Sequence, residues 1–397
     1  MKNKKHLAVV VACQTAFGRE VVSGVIEYCK QHPQWRPFVA WEHSAESMKA
    51  VISERHADGV IAEVWRPEQM RVLQKSKAPI VEVSGAWSTT KLARVQSDNE
   101  AVGRLVATHL MERGFRHFGH FSVHTSRSQI LYAGRRAGFV RELQKAGFQC
   151  NTEVYELNSM TRLCNVGEAV SQEVALDKWL AGLPKPAGVM CDNDHRAGEL
   201  VLACQQAGIR VPDEIAVVGV GNDELACHVC STHLSSVDIV PLRIGYAAAS
   251  VIDRMSRTGT APKAPVLLEP AGVVVRESSD IFTSENMAFV AAMRFIQEHA
   301  HQAIQVKDIL KEVPVCRRTL EEDFLALLGR TPGRQIRHVR IQRAKNLLVE
   351  SELPVGSIAT QVGFASAMVF SEAFRKEAGM RPGEYRTKNR FDPSAMI

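Results

Sequence analysis

The residues best suited to recognising a partner through hydrogen bonds lie near the end of the chain. Apolar residues recur there at helical spacing, and the polar residues between them are Arg317, Arg318, Glu321 and Glu322. A guanidinium group can bind guanine O6 and N7 together, and a carboxylate can accept from the N4 amino group of cytosine. The pattern therefore predicts a helix that reads base edges in DNA. Local ion pairs between the glutamates and nearby arginines are the alternative use of these residues.

A second helix of this kind is predicted further along the chain. Val369, Phe370 and Phe374 are expected to form its buried side. The other residues of this stretch include Ala367, Met368, Ser371 and Glu372. Ala and Met offer no hydrogen bond to a base, but they can contact the methyl group of thymine. We therefore expect the first helix to specify DNA sequence more strongly than the second.

Each of these helices follows a shorter helix and a tight break. The two complete patterns are Val306–Phe324 and Val355–Phe374. In a helix-turn-helix unit the first helix crosses the DNA backbone and the second enters the major groove. Pro332 and Gly333 open a long helix between the two units, roughly Arg334–Leu348, which we expect to act as a rigid spacer.

Positive charge is concentrated in the same part of the chain. The net charge of the whole chain is +6, and residues 286–397 hold 17 Lys and Arg against 12 Asp and Glu. Neutralisation of phosphates supplies the part of DNA affinity that does not depend on sequence. We expect Lys376 and Arg386 to contact phosphates. A basic, solvated surface without a partner is the alternative explanation.

The front of the chain alternates between apolar runs and helical stretches. The apolar runs are Leu7–Ala12, Gly59–Val64, Ile80–Ser84, Phe118–Ser122, Gly188–Cys191 and Ile215–Val220. The helical stretches are Val21–Lys30, Asn99–Arg113, Ala137–Ala146, Val166–Leu180 and Ala197–Ala207. Continuous apolar strands between helices indicate a parallel sheet covered on both faces. Two such units in series predict two α/β lobes, with a ligand in the cleft at the carboxyl ends of the strands.

These patterns divide the chain into domains. We assign residues 1–278 to a two-lobed effector domain, 279–285 to a linker, 286–390 to an all-α domain with two helix-turn-helix units, and 391–397 to a tail. Nine cysteines without a framework favour the reducing cytoplasm. No apolar run approaches the ~18 residues that a membrane span needs.

The N-terminus also fits a lipoprotein signal, since Lys2 to Lys5 precede an apolar run that ends before Cys13. That run is short for a signal peptide, and an amphipathic helix follows it directly. We therefore interpret it as a buried first strand. An exported or lipid-anchored sugar-binding protein is the alternative function that Cys13 would support.

The C-terminal pattern resembles the AraC/XylS family of transcription regulators. The segments that carry this resemblance are Cys316–Phe324, Leu328–Pro332, Arg340–Leu348, Ile358–Phe364, Phe370–Phe374 and Gly379–Arg386. The front resembles the periplasmic-binding-protein-like effector domain of LacI-type repressors. The segments that carry it are Ser97–Gly103, His109–Phe115, Asn193–Ala197, Ile215–Gly219, Leu234–Val237 and Gly272–Arg276. This order of domains resembles the XylR-type architecture, and because His6 enters the first strand directly we expect no N-terminal headpiece.

The resemblance implies a transcription regulator controlled by a small-molecule effector. Its expected partners are double-stranded operator DNA, a sugar such as a pentose, and a second copy of the chain in a homodimer. An activator would also contact RNA polymerase. Activation is the usual outcome in the AraC/XylS family, and repression stays open. Similarity places Arg318, Glu321 and Glu322 at base-reading positions of the first unit. It places Ala367, Met368, Ser371 and Glu372 at those of the second. It also matches Arg135 and Asn193 to effector-binding residues.

Two tryptophans follow strand ends where the cleft is expected to open. Sugars bind with their apolar ring faces against aromatic side chains, so Trp65 and Trp87 are candidate effector contacts; packing on the surface or at a hinge is the alternative. Asp194 is interpreted as the N-cap of the next helix.

One position departs from the LacI-type pattern, because Gly221 stands where those proteins usually have Asp. Asn222 or Asp223 could replace that side chain, and the identity of the sugar stays open.

Metal binding and catalysis have little support in the sequence. Cys227, Cys230 and His233 have metal-like spacing, but a second CxxC is missing. No phosphate-binding glycine loop or nucleophile elbow is present. We therefore expect no cofactor, no metal and no enzymatic activity.

Overall fold

The computed structural model describes residues 4–40, 43–53, 56–87, 92–124, 128–156, 176–284, 286–351 and 353–389. Contacts divide them into two compact units. The first contains the described residues up to Ala107 and those from His117 to Ser279, and the second contains Thr108–Arg116 and the described residues from Asp280 to Asn389. The domain boundaries drawn from the sequence stay predictions. The tail at 391–397 lies outside the described residues, as do Glu285 of the linker and residues 166–175 of one expected helix.

The first unit has one parallel sheet in its N-terminal lobe. Its strands are β1 (Lys5–Val10), β2 (Trp35–Val39), β3 (Gly59–Ala62), β4 (Ile80–Glu82), β5 (Ala93–Ser97) and β11 (Val266–Leu268), in the spatial order β11-β5-β4-β3-β1-β2. The helices of this lobe are α1 (Ala16–Gln31), α2 (Ala45–Ser53), α3 (Pro67–Gln74) and α8 (Pro241–Thr258). Every residue of β3 is buried, as an apolar strand covered on both faces requires.

The second lobe contains a sheet of the same size. Its strands are β6 (His117–His124), β7 (Cys150–Glu156), β8 (Ala187–Cys191), β9 (Ile215–Val220), β10 (Ser235–Asp238) and β12 (Gly272–Val274), in the order β12-β10-β9-β8-β6-β7. The pairing of β10 with β12 is antiparallel, and the other pairs are parallel. The helices are α4 (Asn99–Glu112), α5 (Ser128–Lys145), α6 (Asp194–Gln206) and α7 (Glu224–Val229), and residues 176–182 are also helical.

The sequence pattern suggested two lobes built in series, but the structure shows that the chain passes between them more than once. The chain leaves the first sheet after β5, returns to it from β10 through α8 and β11, and leaves it again for β12. Helix α8 packs on α1 at a pair of glycines, where a Cβ on Gly24 would lie 1.9 Å from the Leu242 carbonyl oxygen and one on Gly245 would lie 2.0 Å from that of Val21. The return of α8 therefore depends on direct backbone contact. The predicted fold class, a two-lobed α/β domain followed by a helical domain, is confirmed.

The second unit holds two small helical cores joined by one long helix. Its helices are α9 (Met287–His299), α10 (Val306–Glu312), α11 (Arg317–Leu328), α12 (Pro332–Glu350), α13 (Val355–Gln361), α14 (Ala367–Ala378) and α15 (Pro382–Asn389). One core contains Phe289 and Phe324 from α9 and α11, and the other contains Phe370 and Phe374 from α14. Helix α12 contributes Ile336 to the first core and further apolar residues to the second.

A close approach connects the second helix-turn-helix unit to the chain just before the first. The Arg340 guanidinium of α12 donates to the carbonyl oxygens of Ala300 and Gln302, each at 2.7 Å, and to that of Ile304 at 3.1 Å. Gly363, in the turn after α13, has a φ of +89°, and a Cβ there would lie 2.5 Å from the carbonyl oxygen of Ala300. The turn of the second helix-turn-helix unit therefore lies against the chain that follows α9. Among the described residues no helix is long and apolar enough to cross a membrane.

This contact predicts that Gly363→Ala lowers the free energy of unfolding by about 2 kcal/mol or more, because the new methyl group meets carbonyl oxygens at a positive φ. Gly356→Ala is the matched control, since Gly356 is helical and has nothing within 4 Å of a Cβ. The control is expected to be neutral or more stable by up to ~1 kcal/mol. Urea unfolding of both variants measures the difference. Equal stability of the two variants would show that the turn can move away.

Candidate DNA interface and effector site

Helix α11 presents the polar surface expected of a recognition helix. Its Leu320 and Phe324 are buried, whereas Arg317, Arg318 and Glu322 are exposed. Arg317 Nε lies 2.8 Å from Glu321 Oε1, with the same distance from Arg318 Nε to Glu322 Oε1. Ion pairs in this exposed setting are weak, so base edges can compete for either partner. The local pairs are thus present without DNA, and base contact by these residues stays a prediction.

Helix α14 presents a more apolar surface. Ser366 caps its N-terminus by accepting from the Val369 amide at 3.3 Å, and Ala367, Met368 and Glu372 are exposed, with Ser371 half-buried. The expectation that Val369 is a core residue is wrong, because it is 49% exposed and follows Met368 at 72%. Val369 therefore adds to the apolar surface available for thymine methyl groups.

The two residues expected at phosphates differ in what holds them. Lys376 is exposed on α14. The Arg386 guanidinium is partly buried and donates to the carbonyl oxygens of Leu348 and Leu353, which ties α15 to the end of α12. Arg386 therefore stabilises the second helical core, and its contact with phosphate stays a prediction.

The expected effector residues Arg135 and Asn193 come together around Tyr132. Asn193 Nδ2 donates to the Tyr132 hydroxyl at 3.1 Å, and the Arg135 guanidinium lies 5.3 Å from the centre of the Tyr132 ring. Arg135 is buried, and it donates through Nε to Asn99 Oδ1 at 2.9 Å and through Nη1 to the Asp192 carbonyl oxygen. Its burial lowers its pKa. Tyr132 was not predicted, although it lies three residues before Arg135 and so on the same side of α5.

The structure corrects the role of Asp194. Asn193 is the N-cap of α6, because its Oδ1 accepts from the Arg196 amide at 3.0 Å. Asp194 is buried and accepts instead from the Asp223 amide at 2.8 Å and from the Ser236 hydroxyl. Burial raises the pKa of Asp194, and these two hydrogen bonds oppose the rise. The carboxylate therefore anchors the loop after β9.

That loop explains why glycine occupies position 221. Gly221 has a φ of +132°, which L side chains rarely adopt, and a Cβ there would lie 3.0 Å from Asp194 Oδ2. Asn222 follows with a φ of +54°, and its Oδ1 accepts from Arg276 at 2.9 Å. Asp223 caps α7. Neither neighbour simply replaces a side chain at 221, and effector contact by Asn222 stays a prediction.

The two tryptophans lie at neighbouring strand ends of the N-terminal lobe and are half-buried. Trp65 Nε1 donates to Glu63 Oε1 at 2.8 Å, and Trp87 Nε1 donates to the Val64 carbonyl oxygen at 2.9 Å. Their indole N–H groups are thus bonded within the lobe. What they can offer a ligand is the exposed part of each ring.

Glu82, at the end of β4, is a buried carboxyl group that the sequence did not indicate. It accepts from the Ser84 amide at 2.6 Å and from the Gly85 amide at 3.1 Å. Burial raises the pKa of Glu82 to about 7, against the lowering effect of these bonds and with a further rise from Glu63.

The metal-like spacing around Cys227 does not form a ligand set. Burial raises the pKa of Cys227 to about 12, and Cys230 Sγ faces the Ala226 carbonyl oxygen. His233 Nδ1 lies 3.5 Å from Glu277. Within the described ranges, no group of three or more His, Cys, Asp or Glu side chains is placed to hold a metal ion.

The Glu82 pKa predicts a pH dependence of stability. A carboxyl whose folded pKa is about 7 binds more protons when folded than when unfolded, so the free energy of unfolding falls as pH rises from about 4.5 to 7. Glu82→Gln is expected to remove this contribution, because its amide stays neutral over this pH range. Its one oxygen can still accept from the Ser84 amide, while the bond that the Gly85 amide donates to Oε2 is lost at every pH. Urea unfolding at several pH values measures the slope. An unchanged slope in the variant would contradict the shifted pKa.

Comparison with known proteins covers both parts of the chain. Residues 6–97 match a model of the XylR N-terminal domain, residues 107–279 a periplasmic binding protein-like domain, and residues 309–388 a helix-turn-helix domain. The chain is 28% identical over 395 residues to the xylose operon regulatory protein of Escherichia coli K12, covering 98% of this chain and 99% of that protein. With the Haemophilus influenzae protein of the same name it shares 27% over 385 residues, covering 96% and 97%.

Solved structures agree with this comparison. A xylose-binding transcription activator, xylR, matches 98% of this chain and 99% of its own with a TM-score of 0.60 and 26% identity. The complex of the regulator CelR with cellobiose matches 70% and 86% with a TM-score of 0.56, and at 19% identity it supports the fold alone. The chain therefore combines, in this order, a XylR-type N-terminal domain, a periplasmic binding protein-like domain and a helix-turn-helix domain, and its similarity to xylose regulators over nearly its whole length supports a DNA-binding transcription regulator with a sugar effector.

Proposed function

We propose that this DNA-binding regulator is controlled by xylose or a closely related pentose. The observation that carries the proposal is similarity over almost the whole chain to regulators named for xylose. The polar group of Arg135, Asn193 and Tyr132 and the half-exposed rings of Trp65 and Trp87 supply the chemistry that a sugar needs. Planar polar groups can bind its hydroxyls, and aromatic rings can pack against its apolar face.

For DNA, the proposal assigns base contacts to Arg317, Arg318, Glu321 and Glu322 of α11 and to Ala367, Met368, Ser371 and Glu372 of α14. Lys376, exposed on α14, is assigned to phosphate. The exposed charges of α11 can discriminate bases by hydrogen bonding, whereas the exposed methyl and thioether groups of α14 can discriminate only by apolar contact.

We further propose a two-state mechanism in the cytoplasm. The pentose stabilises one arrangement of a homodimer, and that arrangement places the paired helix-turn-helix domains on two operator half-sites. Activation through RNA polymerase follows the usual outcome of the AraC/XylS family. Binding without turnover is sufficient for this function. An exported binding protein is disfavoured, because it has no use for two helix-turn-helix units.

A thermal-shift screen of pentoses, with Asn193→Ser as the variant, tests the effector proposal. Serine also caps helices well, so the fold is kept, but the amide that donates to Tyr132 is lost. We expect xylose or another pentose to stabilise the native chain, and N193S to bind it about tenfold or more weakly. Asn286→Ser, at the N-cap of α9, is the matched control and should retain affinity. No shift with any pentose would overturn the pentose assignment and leave DNA binding intact.

Binding to operator variants tests the DNA assignments. Arg318→Ala is expected to relax the base preference at one position by ~1–3 kcal/mol. Lys376→Ala should weaken binding to all sequences alike and reduce the salt slope by about one. Arg386→Ala should lower stability first, because its guanidinium joins α15 to α12. Fluorescence anisotropy at several salt concentrations separates these effects, and the same loss of specificity in R318A and K376A would refute the assignment.

A further inference from the structure

Helix α4 has one end at the candidate effector site. Its first residue, Asn99, accepts from Arg135 Nε at 2.9 Å. Asp98 precedes it and caps the helix by accepting from the Ala101 amide at 3.0 Å. A change in the position of Arg135 therefore acts on the first residue of α4 through the hydrogen bond to Asn99. The cap of the helix does not depend on that bond.

Helices α4 and α5 leave no space between them. A Cβ on Gly103 would lie 2.0 Å from the Arg135 carbonyl oxygen, and one on Gly138 would lie 2.1 Å from that of Glu100. Backbone thus packs on backbone along the first turns of α4. Close packing of this kind transmits a displacement instead of absorbing it.

The other end of α4 belongs to the second compact unit, where Glu112 contacts the turn after α11 and helix α12 directly and reaches α14 through His338. Glu112 Oε1 lies 2.9 Å from Arg330 Nη2 and 3.2 Å from His338 Nε2, and His338 Nδ1 is bonded to Glu377. We call these four residues the junction. Arg330 follows α11, His338 lies on α12 and Glu377 lies on α14. The side chains of Glu112 and His338 are 16% and 19% exposed.

The turn that follows α4 is fixed to the same unit by further bonds. The carbonyl oxygen of Arg113 accepts from the Thr283 amide at 2.9 Å, and Arg116 Nη2 donates to the Leu327 carbonyl oxygen, near the end of α11, at 3.3 Å. The last turn of α4 is therefore held by bonds on more than one side. Glu112 and His338 are distinguished among these residues because, through Arg330 and Glu377, they join α4 to the turn after α11, to α12 and to α14.

We propose that Glu112 and His338 are the positioning residues through which α4 passes the state of the effector site to both recognition helices. The inference rests on the proposed function, since it takes Arg135 as an effector-site residue. Opposite charges alternate across the junction, from the Glu112 carboxylate through the His338 imidazolium to the Glu377 carboxylate. Burial by itself disfavours the charged imidazole, but the two carboxylates outweigh it and raise the pKa of His338 to about 9. A shift of Glu112 therefore changes the forces on α12 and α14 together.

A double-mutant cycle in the full chain tests this link without sugar or DNA. Asn99→Ala removes the bond to Arg135 and keeps the Asp98 cap, and Glu112→Gln removes the charge at the junction. Hydrogen exchange in Arg317–Leu328 and Ala367–Ala378 is the readout. We expect N99A to change exchange rates there by about threefold or more when Glu112 is present, and to have no effect in the E112Q background.

The controls separate coupling from general destabilisation. Glu100→Gln removes an exposed charge from the same helix, where Glu100 pairs with Arg141 at 2.8 Å, and it should leave the N99A effect intact. His338→Gln should abolish the effect as E112Q does, and circular dichroism shows which variants fold. If E112Q unfolds, the H338Q cycle decides. An N99A effect of equal size in the native and junction backgrounds would overturn the proposal.

Addition of D-xylose separates this inference from the proposed function. If xylose binds, the native chain and E100Q should show changed exchange in both recognition helices, and E112Q should bind xylose without that change. If xylose does not bind, the pentose assignment fails while the sugar-free cycle still decides the role of α4.

Discussion

Two recognition helices can read one stretch of DNA only if their separation is fixed, and helix α12 imposes this constraint. It is shared by both helical cores, since Ile336 packs in the first and Leu348 in the second. Arg340 adds hydrogen bonds from α12 to the chain after α9. Gly363 permits the second turn to approach the same carbonyl oxygens. The two helix-turn-helix units are therefore held together, and a regulatory signal must move both of them.

In the effector domain the positions of polar residues depend on where the strands of the two sheets end. Parallel strands end at one edge of each sheet, and polar residues lie there: Glu82 is the last residue of β4, and Glu63, Asp192 and Asn222 follow β3, β8 and β9. Several of them are hydrogen-bonded within the domain. The nearby Asp194 is also bonded, to the loop that contains Gly221. This bonding holds these groups in fixed positions before any ligand is bound.

The sequence predicted the large elements because their patterns are strong. The β9 run Ile215–Val220 coincides with its strand, and both helix-turn-helix units lie where the apolar spacing placed them. Six strands were not among the predicted runs, because they are short or interrupted by polar residues: β2, β5, β7, β10, β11 and β12. Asn193 and Asp194 are both good caps, and only the backbone decides which one is used. Val369 is apolar but exposed on α14, and neither its residue type nor its helical spacing distinguishes such a position from a buried one.

We infer that a sugar bound in the effector domain changes DNA binding by the helix-turn-helix domain. Linkage requires the coupling to be reciprocal, so the factor by which xylose changes operator affinity must equal the factor by which operator changes xylose affinity. Isothermal titration calorimetry of each ligand with and without the other measures both factors. We expect equal factors, each about fivefold or more. Xylose binding that leaves operator affinity unchanged, or no xylose binding at all, would contradict the account.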